Sequence, residues 1–527
     1  MRRIHLSHGT GQVRGRGLRS MLGAVAVAAV LVAGCSAGAP SGAGGGAGNA
    51  NGKGGGKSIT IAYANDIEGW SPYATLNNLT YSRWSNVFEP LVQYADGTYK
   101  GVLATSWSTK GAEWTFHLRK GVKFQDGQPF TAADVVHSFN RAKNDKSSLQ
   151  TAHTAHMRKV TALDDNTVQV TTDGQYAVLL SDITSLFITS KATFDKYGAA
   201  KADEHPNGTG PYSFVSWQKG VSFTVKKNPH YWGNLPANMP TQMIFRVIPN
   251  PVDAVAALQR GEVDIVPSVL FQNVDTISKG KSTHIIAVDG IRTMFYGFQV
   301  TMPPFNDLRV RQAITYAIDV PKIIKNVLQN EVTPMNGPVP ALVFGSDPHS
   351  TNPYPYNPAK AKQLLKEAGA VGKTITLTST NGTTPGDTET SQTVQEMLQK
   401  VGLKVKIVTP DFATQSADLE AGKLGFYLGN RGNYFDANVF LSQYFQGGIS
   451  KRTGYSNPKV NKLMKEQAAE LDPKKRVVLL HQAEAQIMKD APAVFFGAFR
   501  DVYGVTNRIS WKPSTDEFLR GINVSVS

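Results

Sequence analysis

Residues 114–141 read WTFHLRKGVKFQDGQPFTAADVVHSFNR. Trp114, Phe116 and Leu118 alternate with polar residues at the two-residue period of a strand that buries one face. Val122 and Phe124 resume the alternation after Gly121, which predicts a hairpin turning at that glycine. Thr131-Ala-Ala-Asp134 then has the spacing of a capping box, in which a hydroxyl and a carboxylate satisfy the free amides of a helix start. Val135, Val136 and Phe139 follow at helical spacing. Two strands and a helix in so short a stretch predict a mixed α/β chain.

The same grammar continues in both directions. An Asx cap followed by proline marks helix starts at Asn250-Pro251, Asn357-Pro358, Asn457-Pro458 and Asp472-Pro473. Gly261 and Gly369 are placed to end the first two. Between Asn306 and Asp319, Val310, Ala313, Ile314, Ala317 and Ile318 form one apolar stripe, while Arg309, Arg311 and Gln312 point elsewhere. Strand pairs are expected from Val160 to Thr172, turning at Asp164-Asp165-Asn166, and from Tyr212 to Lys226, turning near Lys219-Gly220. From Gln395 to Val408 a helix, Gly402 and the alternating Leu403, Val405 and Ile407 follow one another. No repeat of fixed period is visible, and hairpins inserted among α/β stretches point to several lobes rather than one barrel.

At 527 residues the chain is long enough for two to four domains, and 41% hydrophobic with 18% charged residues describes a globular protein. Cys35 is the only cysteine, which excludes an internal disulfide and a multi-cysteine metal site. The formal charge of +15 suggests nucleic acid or an anionic surface until its location is considered. Arg2, Arg3, Arg14, Arg16 and Arg19 precede an apolar run, Met21 to Ala33, that is too short to span a bilayer and fits a signal-peptide core. Without residues 1–34 there remain 50 basic residues against 40 acidic ones, scattered and with no basic–aromatic repeat, so nucleic acid is not an expected partner. Ser36 to Lys57 holds ten glycines in 22 residues and reads as a flexible tether. Gly56-Lys57-Ser58 mimics the end of a phosphate-binding loop, but Asn51 stands where its first glycine belongs.

Catalytic motifs are missing: there is no G-x-S-x-G, H-E-x-x-H or Walker sequence. His153 and His156 have the i, i+3 spacing of metal ligands but no third ligand nearby, and a solvated helix face is the plainer reading. No cofactor, metal or catalytic residue is expected.

Several stretches resemble one family. They are Phe88-Glu-Pro-Leu91, Gly101 to Trp107 (GVLATSW), Trp114 to Arg141, Gly208 to Tyr212 (GTGPY), and Asn228 to Trp232 (NPHYW). Gln259 to Ile265 (QRGEVDI), Pro304 to Ile314 (PFNDLRVRQAI), Tyr356 to Leu365 (YNPAKAKQLL) before Glu-Ala-Gly369, and Tyr455-Ser-Asn-Pro458 complete the series. Collinear over about 400 residues, they make the chain similar to the bacterial peptide/nickel solute-binding family, the oligopeptide- and dipeptide-binding proteins of ABC importers. Leu31-Val-Ala-Gly-Cys35 resembles the lipobox of bacterial lipoproteins, in which the cysteine is acylated and becomes the N-terminus.

The resemblance implies a two-lobed, periplasmic-binding-protein-like clamp of type II, in its large three-segment variant with an inserted domain. Residues 1–34 would be the signal peptide and 35–57 the lipidated cysteine with its tether. Residues 58–87, 206–293 and 498–527 would form lobe I, 88–205 the inserted domain, and 294–497 lobe II. A monomer anchored by lipid to the outer face of the cell membrane would capture a peptide or peptide-like solute between the lobes and deliver it to permease subunits. An oligosaccharide or other non-peptide ligand is the alternative, and a surface hydrolase on this scaffold a more distant one. A binder releases its ligand unchanged on denaturation, whereas a hydrolase releases products. Nickel is poorly served, since no histidine falls in the loops expected at the cleft.

Those loops name the candidate ligand contacts. Asn65, Trp70 and Tyr73 follow the first strand, and Tyr296, Phe298 and Gln299 lie at the crossover to the second lobe. In peptide-binding members an Asp near the second-lobe cleft pairs with the ligand's α-ammonium, and the matching position here holds Asn433. Asn433 can accept a hydrogen bond but lacks the neutralising charge, so standard amine recognition is not expected there. Arg431 is placed to receive a carboxylate or another anion, or to form a surface salt bridge. Tyr434 and Asp436 complete the segment, Asp436 matching a position that is usually structural.

Overall fold

The computed structural model describes residues 57–527, except 96, 200, 381–384, 433 and 450. The expected signal peptide, Cys35, the glycine tether up to residue 56 and Asn433 lie outside the described residues. An 11-stranded mixed sheet runs through both halves of the described chain. Its spine is two antiparallel strands, Thr283–Phe298 and Ala493–Thr506, paired from Thr283 with Thr506 to Gly297 with Ala493. On one side Ile265–Val266, Ser58–Tyr63, Gln242–Val247, Ser222–Lys227 and Tyr212–Gln218 follow in spatial order, and on the other Phe426–Arg431, Thr374–Thr378 and Lys404–Val408. Only the two spine strands cross from one half to the other within the sheet.

The spine strands are apolar on both faces because both faces are covered. Tyr296, Phe298 and Phe496 pack with Ile314, Leu377 and Phe426 in one core, while Phe295 and Phe495 pack with Phe440, Leu441 and Phe445 in another. Ile59, Ile61, Tyr212, Phe245 and Val505 belong to the core of the opposite half. A separate four-stranded antiparallel sheet, ordered Ala104–Lys110, Glu113–Leu118, Thr167–Thr172 and Met157–Asp164, packs on the helix Ala132–Asn144.

The hairpin expected at Gly121 is corrected. Glu113–Leu118 pairs instead with the preceding Ala104–Lys110 and with Thr167–Thr172. Gly121 does turn the chain, with φ +75°, but Val122 and Phe124 enter a short loop in which Phe130 N donates to Val122 O at 3.0 Å and Phe124 N to Gln128 O at 2.8 Å. Their apolar character reflects burial in the inserted core, each only 1% exposed, and not the face of a paired strand. The capping box forms, since Thr131 N donates to Asp134 Oδ2 at 2.9 Å. Asn250, Asn357, Asn457 and Asp472 each cap their helix through the side chain. Arg311 lies off the apolar stripe but is buried, and it donates to the carbonyls of Phe305, Asp490 and Ala491 at 2.7–3.1 Å, closing the end of the helix Pro473–Asp490. Among the described residues no helix is long and apolar enough to cross a membrane.

Candidate functional site

The spine strands lose their regular pairing where the two halves meet. Asp289 pairs with Arg500, and pairing resumes only at Thr293 with Ala498. Gly290, Ile291 and Arg292 thus bulge against Phe499 alone. A Cβ on Gly290 would stand 2.4 Å from the Phe499 carbonyl oxygen, so only glycine allows this approach. The bulge re-aims Arg292, whose stem lies where a side chain on Gly432 would touch it and whose guanidinium carbon is 4.9 Å from the Phe499 ring centroid.

On the partner strand the apolar run breaks at Arg500 and Asp501. Arg500 turns to Asp289 and Glu331, at 3.8 and 3.7 Å. Asp501 Oδ2 is sealed from solvent without a hydrogen-bond partner. Glu517 arrives from the loop beyond, at a φ of 64° that side-chain-bearing residues seldom adopt. Its Oε2 accepts from Asn78 Nδ2 at 2.8 Å, while Glu517 Oε1 and Asn78 Oδ1 are sealed and unpartnered. From the other half comes Arg431, at the end of Phe426–Arg431 and opposite Thr293, with its Nε also sealed and unpartnered. Asn78, Arg292, Arg431, Asp501 and Glu517 line one cavity of about 290 Å³ together with Tyr63, Phe271 and Tyr503.

Burial pushes the Asp501 carboxyl well above the carboxylate range, nearby Glu517 adds to this, and Arg292 opposes it. Burial likewise raises Glu517 against the pull of Arg292. The Arg431 guanidinium is lowered by burial. Unpaired buried charge is costly in an empty site. A cavity holding acceptors and guanidinium groups in this condition is arranged for a solute that brings charges of both signs.

Residues 98–452 match the model of the bacterial extracellular solute-binding proteins, family 5 (middle). The chain belongs to this family. It is 29% identical over 474 residues to the glutathione-binding protein GsiB of Pectobacterium atrosepticum, covering 86% of this chain and 91% of the relative. The solved structure of the ABC transporter-associated periplasmic binding protein DppA from Helicobacter pylori, in complex with the peptide STSA, is similar with a TM-score of 0.75 at 26% identity over 89% of this chain and 98% of that one. The binding protein AgaA of A.tumefacien R10, in complex with agropinic acid, gives a TM-score of 0.75 at 25% identity, covering 89% of this chain and 99% of that one. This solute-binding protein thus shares its two-lobed type II architecture with proteins solved around bound ligands.

Of the residues singled out in the sequence of this family member, Arg431 lines the cavity. The structure places most of the others in cores or in supporting positions. Trp70 is 3% exposed and meets Phe88, Phe214 and Phe223 edge-on. Tyr73 is buried in the core beside the four-stranded sheet, its hydroxyl 2.9 Å from Thr189 Oγ1. Asn65 is exposed, and its carbonyl accepts from Arg83 Nη1 at 2.7 Å. Tyr296 and Phe298 are fully buried, the former bonded to Ser391 Oγ at 3.0 Å. Gln299 spans the carbonyls of Gly422 and Lys451, at 3.0 and 2.8 Å. Tyr434 stacks on Phe440 and shares a hydrogen bond with Thr293. Asp436 has both oxygens engaged by Arg476, at 2.6 and 2.7 Å, and caps the helix Ala437–Phe445. The paired histidines part company: His156 stacks on Tyr176, and His153 Nδ1 lies 3.6 Å from Asp182 Oδ1.

Arg292, Asp501, Glu517 and Asn78 escape a motif-based reading. A signal was present for two of them, since Arg500-Asp501 interrupts the apolar stretch AVFFGAFRDVYGVT and Arg292 follows Asp289-Gly290 inside an otherwise strand-like run. Charges in the middle of buried strands are expensive and mark function more often than packing.

Proposed function

We propose that this protein captures a small peptide-like zwitterion between its lobes, outside the cytoplasm, and presents it to the permease of an ABC importer. One observation carries the reading: a single cavity between the halves is lined by guanidinium groups (Arg292, Arg431) and by carboxyls (Asp501, Glu517) whose sealed atoms have no partner. The glutathione and peptide ligands named for the relatives support it, since each bears an amine and a carboxylate. The volume sits at the lower end of the roughly 300–1,000 Å³ of small-molecule sites, which favours a solute of about dipeptide to tripeptide size. In this reading lobe I comprises 58–87, 206–293 and 498–527, the inserted domain 88–205 and lobe II 294–497. A lipid on Cys35 and the glycine tether would hold a monomer near the membrane and raise its local concentration at the permease.

Titration calorimetry of the purified protein with glutathione, a dipeptide, a tripeptide and agropinic acid tests the proposal, alongside mass spectrometry of whatever denaturation releases. At least one small zwitterion should bind one-to-one at micromolar Kd or tighter, and should be recovered intact. Arg431→Ala should weaken it about tenfold or more, the loss of a charge-assisted hydrogen bond. Binding no tighter than millimolar for every compound, or recovery of cleaved products, refutes the reading.

A further inference from the structure

The acceptors in the cavity come in a number that matters. Asp501, Glu517 and Asn78 all line it, and each carries an oxygen (Oδ2, Oε1 and Oδ1) that is sealed from solvent without a hydrogen-bond partner. A primary ammonium carries three N–H donors and no acceptor. Glu517 and Asn78 are already held to each other through Oε2 and Nδ2, so their free oxygens are the ones left for a ligand. The loop that brings Glu517 in is locked around a neighbour: Arg520 pairs with Asp516 at 2.6 Å, and Glu517 N donates to Ser514 O at 3.1 Å. That lock holds Glu517 in its left-handed conformation, the kind of local strain that clusters at ligand sites.

We propose that Asp501, Glu517 and Asn78 form the receptor for the ligand's ammonium group, and that the ammonium displaces one proton that this pair of acids otherwise holds. This rests on the solute reading above. It places amine recognition on the return spine strand and the loop after it, in lobe I, and not on the second-lobe position that holds Asn433.

The surroundings fit a shared proton. Asp501 faces Glu517, Asp516 and Arg292, and Glu517 faces Arg292, Asp516 and Asn78. Asp516 is spent on Arg520, and Arg500 turns toward Asp289 and Glu331. Tyr503 and Tyr63 stand beyond, the latter under the Arg83 guanidinium. Arg292 thus acts on both carboxyls, and both carboxyls are raised. On binding, the ammonium enters with one positive charge, its three N–H groups take the three oxygens, and the displaced proton leaves to bulk water. The net charge of the site is unchanged. The association constant should therefore rise with pH, by up to about tenfold per unit for one proton released, until the ligand's own amine titrates near pH 8.

The test uses the full-length protein, glutathione and alanylalanine, and their N-acetylated forms. Calorimetry in two buffers of different ionisation enthalpy near pH 7 should show net proton release on binding the free amine and none on binding the acetylated form. Acetylation should weaken binding about 30-fold or more, as for loss of a buried charged partner. Asp501→Asn and Glu517→Gln should each shrink the preference for the free amine and abolish the proton release. The wild-type comparison decides even where a variant fails to fold. Equal affinity for free and acetylated ligands, or no proton released, overturns this inference and leaves the solute reading standing. Failure of every form to bind overturns both.

Discussion

Glu89 illustrates how one buried carboxyl couples this fold to pH. It is 6% exposed and accepts from Thr209 Oγ1 at 2.8 Å, Trp232 Nε1 at 2.9 Å and Tyr231 OH at 3.3 Å, tying residue 89 to the segment 209–232. Burial outweighs these donors and pushes its carboxyl up to about 7. Because the folded value lies above the unfolded one, the contribution to stability is complete in acid and is lost as pH rises toward 7. Its size is on the order of 3 kcal/mol. Denaturant unfolding measured from pH 4.5 to 7.5 should show this decline, and Glu89→Gln should flatten it; a variant with an unchanged pH slope assigns the dependence elsewhere. Asp182, Glu484, Asp501 and Glu517 are shifted in the same direction by burial, whereas His137, lowered by burial to about 4, contributes the opposite slope in this range, so the comparison with Glu89→Gln isolates the Glu89 share. At this scale little of the site was legible in sequence. Arg431 was, from its place beside a family segment, while Asp501 and Glu517 stand 16 positions apart and acquire meaning only when Asn78 and Arg292 close the ring around them.

Among elements, the helices were the most legible, because a cap is a local bargain between a side chain and amides two or three residues away. Asn250, Asn357, Asn457 and Asp472 each accept from such amides. The bulge at residues 290–292 could not be read the same way, since it exists only relative to a partner strand some 200 residues distant. Asp436 mixes the two kinds of information. As a helix cap it is local, with Asn438 N at 2.9 Å, but its main partner is Arg476, and both side chains are nearly sealed. Asp436→Ala would leave the Arg476 guanidinium buried and uncompensated, at a cost of about 3–5 kcal/mol in unfolding free energy. A loss below about 1 kcal/mol in chemical denaturation would show that solvent reaches Arg476 in the folded state.

For the molecule as a whole, two spine strands join two halves, and in the proposed reading ligand contacts from both sides would stabilise a closed arrangement. Saturation with a bound zwitterion at a hundred times its Kd should add about 2.7 kcal/mol to unfolding, roughly 3 °C in Tm for a chain of this length. Scattering should show a smaller radius of gyration in the same sample. A ligand that raises Tm yet leaves the radius of gyration unchanged would locate binding away from the cleft. By itself the sequence determined the α/β class, the helix boundaries, the apolar stripe of residues 310–318 and the likeness to solute-binding proteins, because these depend on periodicity, caps and collinear motifs. Only the tertiary structure decided which polar residues share the cavity. It moved Trp70, Tyr73, Tyr296 and Phe298 into cores and brought Asn78, Arg292, Asp501 and Glu517 together. The reason is physical: aromatic residues are chosen equally by cores and by ligands, and a charge is costly or useful according to the neighbours that folding supplies.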